Sequence, residues 1–307
     1  MPLANLENRN KYALITGATS GIGYELAKLF AADSYNLILV ARNKERLQEV
    51  TDQLKQSFSV EITPMQKDLF HPGAAEELYD EVNQMGIVVN VLVNDAGQGE
   101  WGRFIETALE RDINIIQLNI ISLLTLTKLY LKDMVLRDEG KILQLGSEVG
   151  AAPIPLLAVY SASKAFVLSF TTALFNELKD TNITITALLP GATDTGFFHK
   201  AGQEETVGYK EKELASPAEV AKDGYKALMN GESKIISGSR TKMHVFMNDL
   251  FGAKKSAANN RTLMEPANKE NGRELPSYSE SSKEREEINK ETGRKDGDRI
   301  QKTSPSL

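Results

Sequence analysis

Ser147, Tyr160 and Lys164 stand at intervals of thirteen and four residues, and their side chains suit one kind of chemistry. A phenol titrates near ~10, too high for proton exchange at neutral pH. An ammonium one helical turn away favours the phenolate and brings that value towards the working range. A hydroxyl beside the phenol could hold a carbonyl oxygen. Spacing alone does not make a site, because Tyr24 and Lys28 repeat the same interval. That second pair reads as an ordinary helix face, with no comparable setting around it.

The setting of the first pair is a strand, a break and a helix. Residues 142–145 are an apolar run of the kind that forms a buried parallel strand, and Ser147 lies just past its end. Pro153 and Pro155 interrupt regular structure, and a helical pattern runs from about 157 to 177. Tyr160 and Lys164 then share one face of that helix.

Far upstream, residues 12–16 form a first strand that runs into Gly17, Ala18, Thr19, Ser20, Gly21, Ile22 and Gly23. A helix follows with Ile22, Leu26, Leu29 and Phe30 on its apolar face. Strand, glycine turn and helix in that order make a dinucleotide fingerprint, with the helix N-terminus offering N–H groups to a pyrophosphate. A second strand, 36–41, ends at Arg42 where NAD-binding chains place a carboxylate. A guanidinium there matches a 2′-phosphate, and a solvated surface arginine is the competing reading.

Further strands are expected at 60–66, 88–93, 183–189 and 234–237, with helices at 44–58, 73–85, 105–136 and 216–230. Seven strands alternating with helices give an α/β fold with a doubly wound parallel sheet. The fourth strand ends in Asn94, Asp95, Ala96 and Gly97, small enough to let backbone pass close to a flat ring. Asn119 is a polar residue inside an apolar helical stripe. Residues 196–214 have weak periodicity and suit a lid over a site, and 243–251 is a short amphipathic piece.

Composition narrows the function classes. Of 36 basic and 42 acidic residues, twelve and ten fall in 254–307, so residues 1–253 keep 24 and 32 and form an acidic body. That balance argues against nucleic acid as the main partner. The absence of cysteine removes disulfides and thiolate metal sites, and His71, His199 and His244 have no metal-ligand spacing, so no metal is expected. Polar residues interrupt 113–131 too often for a membrane span, no signal-peptide pattern opens the chain, and a cytoplasmic protein is expected. Residues 254–307 hold only seven large apolar side chains and read as a disordered, dispensable tail, with a transient helix at 280–291.

Taken together, residues 11–237 resemble the short-chain dehydrogenase/reductase family in its compact single-domain form. Residues 16–23 look like its T-G-x-x-x-G-x-G, Asp68 with Leu69 looks like its adenine-binding position, and Asn94 to Gly97 is similar to N-N-A-G. Asp95 departs from that pattern, replacing an amide by a carboxylate. Asn119, Ser147, Tyr160 and Lys164 fall where the family keeps its catalytic tetrad, and Pro190, Gly191, Thr193 and Thr195 resemble its P-G-x-x-x-T segment at the nicotinamide end.

The resemblance implies that Tyr160 is the general acid or base and Ser147 holds the substrate oxygen. It implies that Lys164 bonds the nicotinamide ribose and lowers the phenol, while Asn119 holds a relay water. With Arg42, it implies NADPH as cofactor, a ketone or aldehyde as substrate, and a homodimer or homotetramer joined through the helices carrying Asn119 and Tyr160. A non-catalytic dinucleotide sensor or a tethering protein is the alternative. An epimerase or dehydratase on nucleotide sugars would need a larger substrate lobe than the residues after Pro190 supply. Trp101, Phe104, Ile154, Leu156, Phe197 and Phe198 are candidates for the substrate pocket or for ordinary packing.

Overall fold

A computed structural model of the chain describes residues 6–266 apart from 205 and 211–213. The charged stretch at 280–291, and all of the expected tail from 267 onward, lies outside the described residues. Seven strands, β1 (Tyr12–Thr16), β2 (Asn36–Ala41), β3 (Ile62–Gln66), β4 (Val89–Asn94), β5 (Gly140–Leu145), β6 (Ile183–Leu189) and β7 (Lys234–Ile236), form one sheet in the order β3-β2-β1-β4-β5-β6-β7. Every pairing is parallel. The helices between them are α1 (Gly21–Ala32), α2 (Lys44–Ser57), α3 (Ala74–Gln84), α4 (Leu109–Ile116), α5 (Leu123–Arg137) and α6 (Ala158–Glu177). Two short helices follow β6, α7 (Phe197–Ala201) and α8 (Val207–Lys210), then α9 (Pro217–Met229) and α10 (Ser239–Met264).

The strand sequences explain the layering. Successive side chains of a strand point to opposite faces, so a strand covered on both sides must be apolar throughout. In β1, Ala13 and Ile15 enter one core with Leu26, Leu47 and Leu228 of α1, α2 and α9. Leu14 enters the other, with Leu78, Leu126 and Met134 of α3 and α5. Strand order reverses direction between β1 and β4, and a parallel sheet binds ligands in the crevice beyond its carboxyl ends at such a switch point.

Three expectations change. The helix expected over 105–136 starts only at Leu109, because Ala108 is extended and the Thr107 hydroxyl lies 2.9 Å from Asp112 Oδ2, local bonding that competes with a helix. It is also interrupted by a π-helical turn at Gln117–Ser122. The lid region contains α7 and α8.

The third change concerns the tail boundary at 254. Helix α10 continues to Met264 through a break at Gly252 (φ 72°, ψ 161°), a conformation that glycine adopts readily. Its second arm folds back on the first: Ser256 Oγ donates to Asn248 O at 2.9 Å, and Asn260 Oδ1 lies 3.2 Å from His244 Nε2. Ser256 and Asn260 are buried. Residues 254–264 are therefore part of the folded body, held by polar contacts that a count of apolar side chains does not register.

By length and composition, the continuous helical stretch Leu109–Arg137 and helix α6 could each cross a membrane. In the fold they are the layer that carries Asn119 and Tyr160.

Candidate active site

A cavity of about 340 Å³ opens at the carboxyl ends of β1, β2, β4, β5 and β6. At one end Arg42 and Asp68 line it, the glycine turn of residues 17–22 lies midway, and Ser147, Tyr160 and Lys164 lie with Phe197 at the other end.

The glycine turn is built for close approach. Gly17 and Gly21 have φ of +71° and +56°, and a Cβ on Gly17 would stand 3.0 Å from the Ala96 backbone nitrogen. Thr16 Oγ1 accepts from the backbone N–H groups of Asp95 and Ala96, both at 3.1 Å, fastening the end of β4 beside the turn. Thr19, Ser20, Gly21 and Ile22 line the cavity at the start of α1, and Gly23 lies buried in its first turn. An exposed helix start with flanking glycines fits an anionic diphosphate, so the residues present fit a dinucleotide.

At the adenine end, Asp68 Oδ1 accepts from Phe70 N at 3.2 Å, and Leu69 is buried beside it. Arg42 is exposed, its guanidinium 5.1 Å from the Phe70 ring centroid.

The four tetrad positions meet. Lys164 Nζ donates to Leu145 O at 2.7 Å, which anchors α6 to the end of β5. Ser147 Oγ accepts from Val149 N at 3.3 Å, and Ser147 and Tyr160 line the same end of the cavity. Asn119 sits in the π turn, where its Oδ1 accepts from Gln98 N at 3.0 Å and its Nδ2 donates to Gln98 O at 2.9 Å and to Ser163 Oγ at 2.9 Å. It therefore clasps the loop after β4 and pins the helix of Tyr160. A Cβ on Gly97 would stand 3.4 Å from Lys164 Nζ and 3.5 Å from Asn119 Oδ1, so the two side chains flank the Gly97 backbone.

The electrostatics depart from expectation at the phenol. Burial pushes Tyr160 well above its ordinary value, Ser147 pulls it back, and Glu148 raises it further. Lys164 is not among the groups that act on it: its ammonium stands 5.8 Å from the ring centroid and gives one of its three N–H groups to Leu145 O. Burial brings Lys164 itself down to about 8, against an opposing attraction from Asp95.

Other expected residues divide. Pro190, Gly191, Thr193 and Thr195 line the cavity past β6, as do Ala96 and Gly97 past β4. The side chain of Asn94 instead turns into the protein, donating to Thr127 Oγ1 at 3.1 Å and Gln144 Oε1 at 3.0 Å. Asn94 holds β4, β5 and α5 together and leaves the cavity to its neighbours. Phe197 and Phe198 line the substrate end, Phe197 with its ring centroid 5.0 Å from that of Tyr160. Trp101, Phe104, Ile154 and Leu156 are not among the lining residues. Among the described residues no group of histidine and carboxylate side chains could hold a metal ion.

Sequence reasoning missed the parts that depend on distant packing. Met264, at the end of α10, lines the cavity, and its carbonyl accepts from Trp101 Nε1 at 2.9 Å. Val207 N donates to Glu265 O at 3.0 Å, so the same segment ties down the region after β6. His244 Nδ1 pairs with Glu148 Oε2 at 2.7 Å, and Glu148 follows Ser147 in the cavity lining. A histidine in an amphipathic piece was the only signal, and it named no partner.

Known proteins carry the same pattern. A family model described as short chain dehydrogenase matches residues 11–206. The chain is similar to a very-long-chain 3-oxoacyl-CoA reductase of Rattus norvegicus, 34% identical over 186 residues, which is 59% of this chain and 58% of that protein's length. It is similar in structure to a short-chain dehydrogenase from Sphingobium yanoikuyae in complex with NADPH, with TM-score 0.71 and 28% identity, covering 84% of this chain and 99% of the other. The fold is shared with a short-chain dehydrogenase/reductase from Burkholderia phymatum in complex with NAD, with TM-score 0.71 and 20% identity, covering 86% and 99%. On the match over residues 11–206, and with the sheet order and assembled site above, the chain belongs to the short-chain dehydrogenase/reductase family of oxidoreductases.

Proposed function

We propose that this protein is an NADPH-dependent reductase that converts a ketone or aldehyde reversibly to an alcohol. The observation that carries the reading is that Ser147, Tyr160 and Lys164 line one end of a cavity whose far end presents Arg42. The N-terminus of α1 would hold the pyrophosphate, Arg42 the 2′-phosphate and Lys164 the nicotinamide ribose. When bound, the cofactor supplies the hydride chemistry.

The chain's own residues do the rest. Ser147 holds the substrate oxygen and steadies developing negative charge on it. Tyr160 gives that oxygen its proton in reduction and removes it in oxidation. A phenol kept neutral by burial is ready to donate, and the approach of alkoxide charge is what makes the transfer favourable. Lys164 and Asn119, on either side of Gly97, would resupply the proton through a water. Phe197, Phe198, Leu157 and Met264 give the substrate end an apolar wall. That wall, and a relative named for reducing a 3-oxoacyl-CoA, support an apolar carbonyl substrate.

The same reading includes a cytoplasmic location and a homodimer or homotetramer through the helices carrying Asn119 and Tyr160. Ile113, Ile116, Ile121 and Leu124 are exposed there and would be covered by such a contact. Light scattering on the purified protein would test it, with a monomer as the contrary result.

Cofactor choice is the sharpest test. A charge-assisted hydrogen bond contributes ~1.5–3 kcal/mol, so Arg42 should favour NADPH over NADH by roughly ten- to a hundredfold in kcat/KM. Ala41→Asp with Arg42→Ala should turn the preference towards NADH. A carbonyl panel assayed with both cofactors checks this. Equal use by the unaltered protein would overturn the NADP assignment, and no oxidation of either would favour a non-catalytic sensor.

A further inference from the structure

Asp95 is the one ionisable residue in the run from Asn94 to Gly97, and the mechanism above leaves it unused. Its Oδ1 is shut off from solvent and has no hydrogen-bond partner. Its Oδ2 presses on the glycine turn, 2.9 Å from where a Cβ on Gly17 would stand and 2.5 Å from one on Gly23. The backbone N–H of Gly23, in the first turn of α1, is among the groups that favour the charged form of the carboxyl. The groups acting on Asp95 are therefore the amide end of α1 on one side and Lys164 of α6 on the other. The glycine turn itself brings Thr19 and Ser20, which carry no charge.

A carboxylate here and a dinucleotide's pyrophosphate seek the same thing, the positive N-terminal end of α1. Both cannot have it without repulsion between like charges held close together. Protonation of the carboxyl removes the conflict and supplies a donor to a group that now has an orphaned oxygen. We propose that Asp95 is part of the cofactor cradle and takes up a proton when a dinucleotide binds, so that cofactor affinity falls as the pH rises. This rests on the dinucleotide reading of the cavity.

The sign and window follow from the group itself. Burial pushes Asp95 up to about 7 against the pull of Lys164 and Gly23, and added negative charge pushes it further the same way. Below about 7 the carboxyl is already protonated, and binding is indifferent to it. Above that value binding must bring a proton, and Kd should rise by up to about tenfold per pH unit until the bound form also ionises.

Difference infrared spectroscopy of the whole chain at about pH 7.5, with protein labelled by carbon-13 at aspartate carboxyls, reads this directly. Adding NADPH should bring up the carbonyl band of a buried protonated aspartic acid and remove carboxylate intensity. NADH should do the same, because it shares the pyrophosphate and lacks only the 2′-phosphate. Asp95→Asn, which keeps the shape of the side chain, should lose the band while still binding cofactor by calorimetry. Should that variant not fold, the labelled wild type decides alone, since the band either appears on ligand addition or does not. Binding without the band overturns the inference and leaves the proposed function standing. No binding of either dinucleotide overturns both.

Discussion

Tyr24 and Lys28 on α1 have the same spacing as Tyr160 and Lys164 on α6, and in both pairs the ammonium stands near the ring, at 5.0 and 5.8 Å from its centroid. Their surroundings differ in every other respect. Lys28 is half exposed and pairs with Glu25 at 2.6 Å, one turn away on its own helix. Lys164 is 3% exposed and bonds a carbonyl from β5, while Tyr160 meets Ser147, Phe197 and the loop after β4. Helical spacing brings two side chains together wherever it occurs. What sets one pair apart is the other elements packed against it, which bury it and bring Ser147 to the same end of the cavity.

The largest effect should come from Tyr160→Phe, which keeps the packing and removes the proton. Turnover should fall by ~10²–10⁴ with cofactor affinity nearly unchanged. Tyr24→Phe should stay within about twofold of wild type, since a surface change away from special features is within ±0.5 kcal/mol. Similar rates from the two variants would erase the distinction drawn between the helices. Next, Lys164→Met should weaken NADPH binding by roughly ten- to a hundredfold through loss of a charge-assisted bond, with Lys28→Met neutral in fluorescence titration.

A pH profile sharpens the contrast further. Lys164 is an ammonium below about 8 and loses its proton above it, so kcat/KM should decline by up to about tenfold per unit on that side. A flat alkaline limb would mean that the charge on Lys164 is dispensable. The smallest effect concerns the wall near Tyr160 and Lys164 alone. Ending the chain at Ala253 removes Ser256, Asn260 and Met264, a loss of about 1–3 kcal/mol of hydrogen bonding and packing. Calorimetry should show Tm lower by roughly 2–10 °C. An unchanged Tm would restore the view of a dispensable tail.

The strands were legible because a parallel sheet covered on both faces demands uninterrupted apolar runs, and β1, β2 and β6 match their expected limits. The glycine turn and the Ser147–Tyr160–Lys164 spacing were legible because local geometry dictates them. What could not be read depends on pairs far apart in sequence. His244 meets Glu148 across 96 positions, and Trp101 meets Met264 across 163. The second arm of α10 misled for a different reason: Ser256 and Asn260 are buried through hydrogen bonds, and their composition is that of a solvated segment. Asn94 shows the converse, a motif residue whose amide serves the sheet.

The π turn at Gln117–Ser122 has a consequence for how this helix tolerates change. A turn of that kind holds one residue more than a regular turn, and each helical residue advances the side-chain direction by about 100°. The apolar stripes of α4 and α5 are therefore out of phase with one another, like two threads cut on one bolt with a slip between them. Substitutions scanned along 109–137 should give two periodic profiles separated by a phase jump at the turn. Deleting a single residue inside it would join them into one unbroken helix, and would swing Asn119 away from Gln98 or α5 away from the sheet. The irregularity is what allows one continuous rod to meet two partners that a regular helix could not face at once.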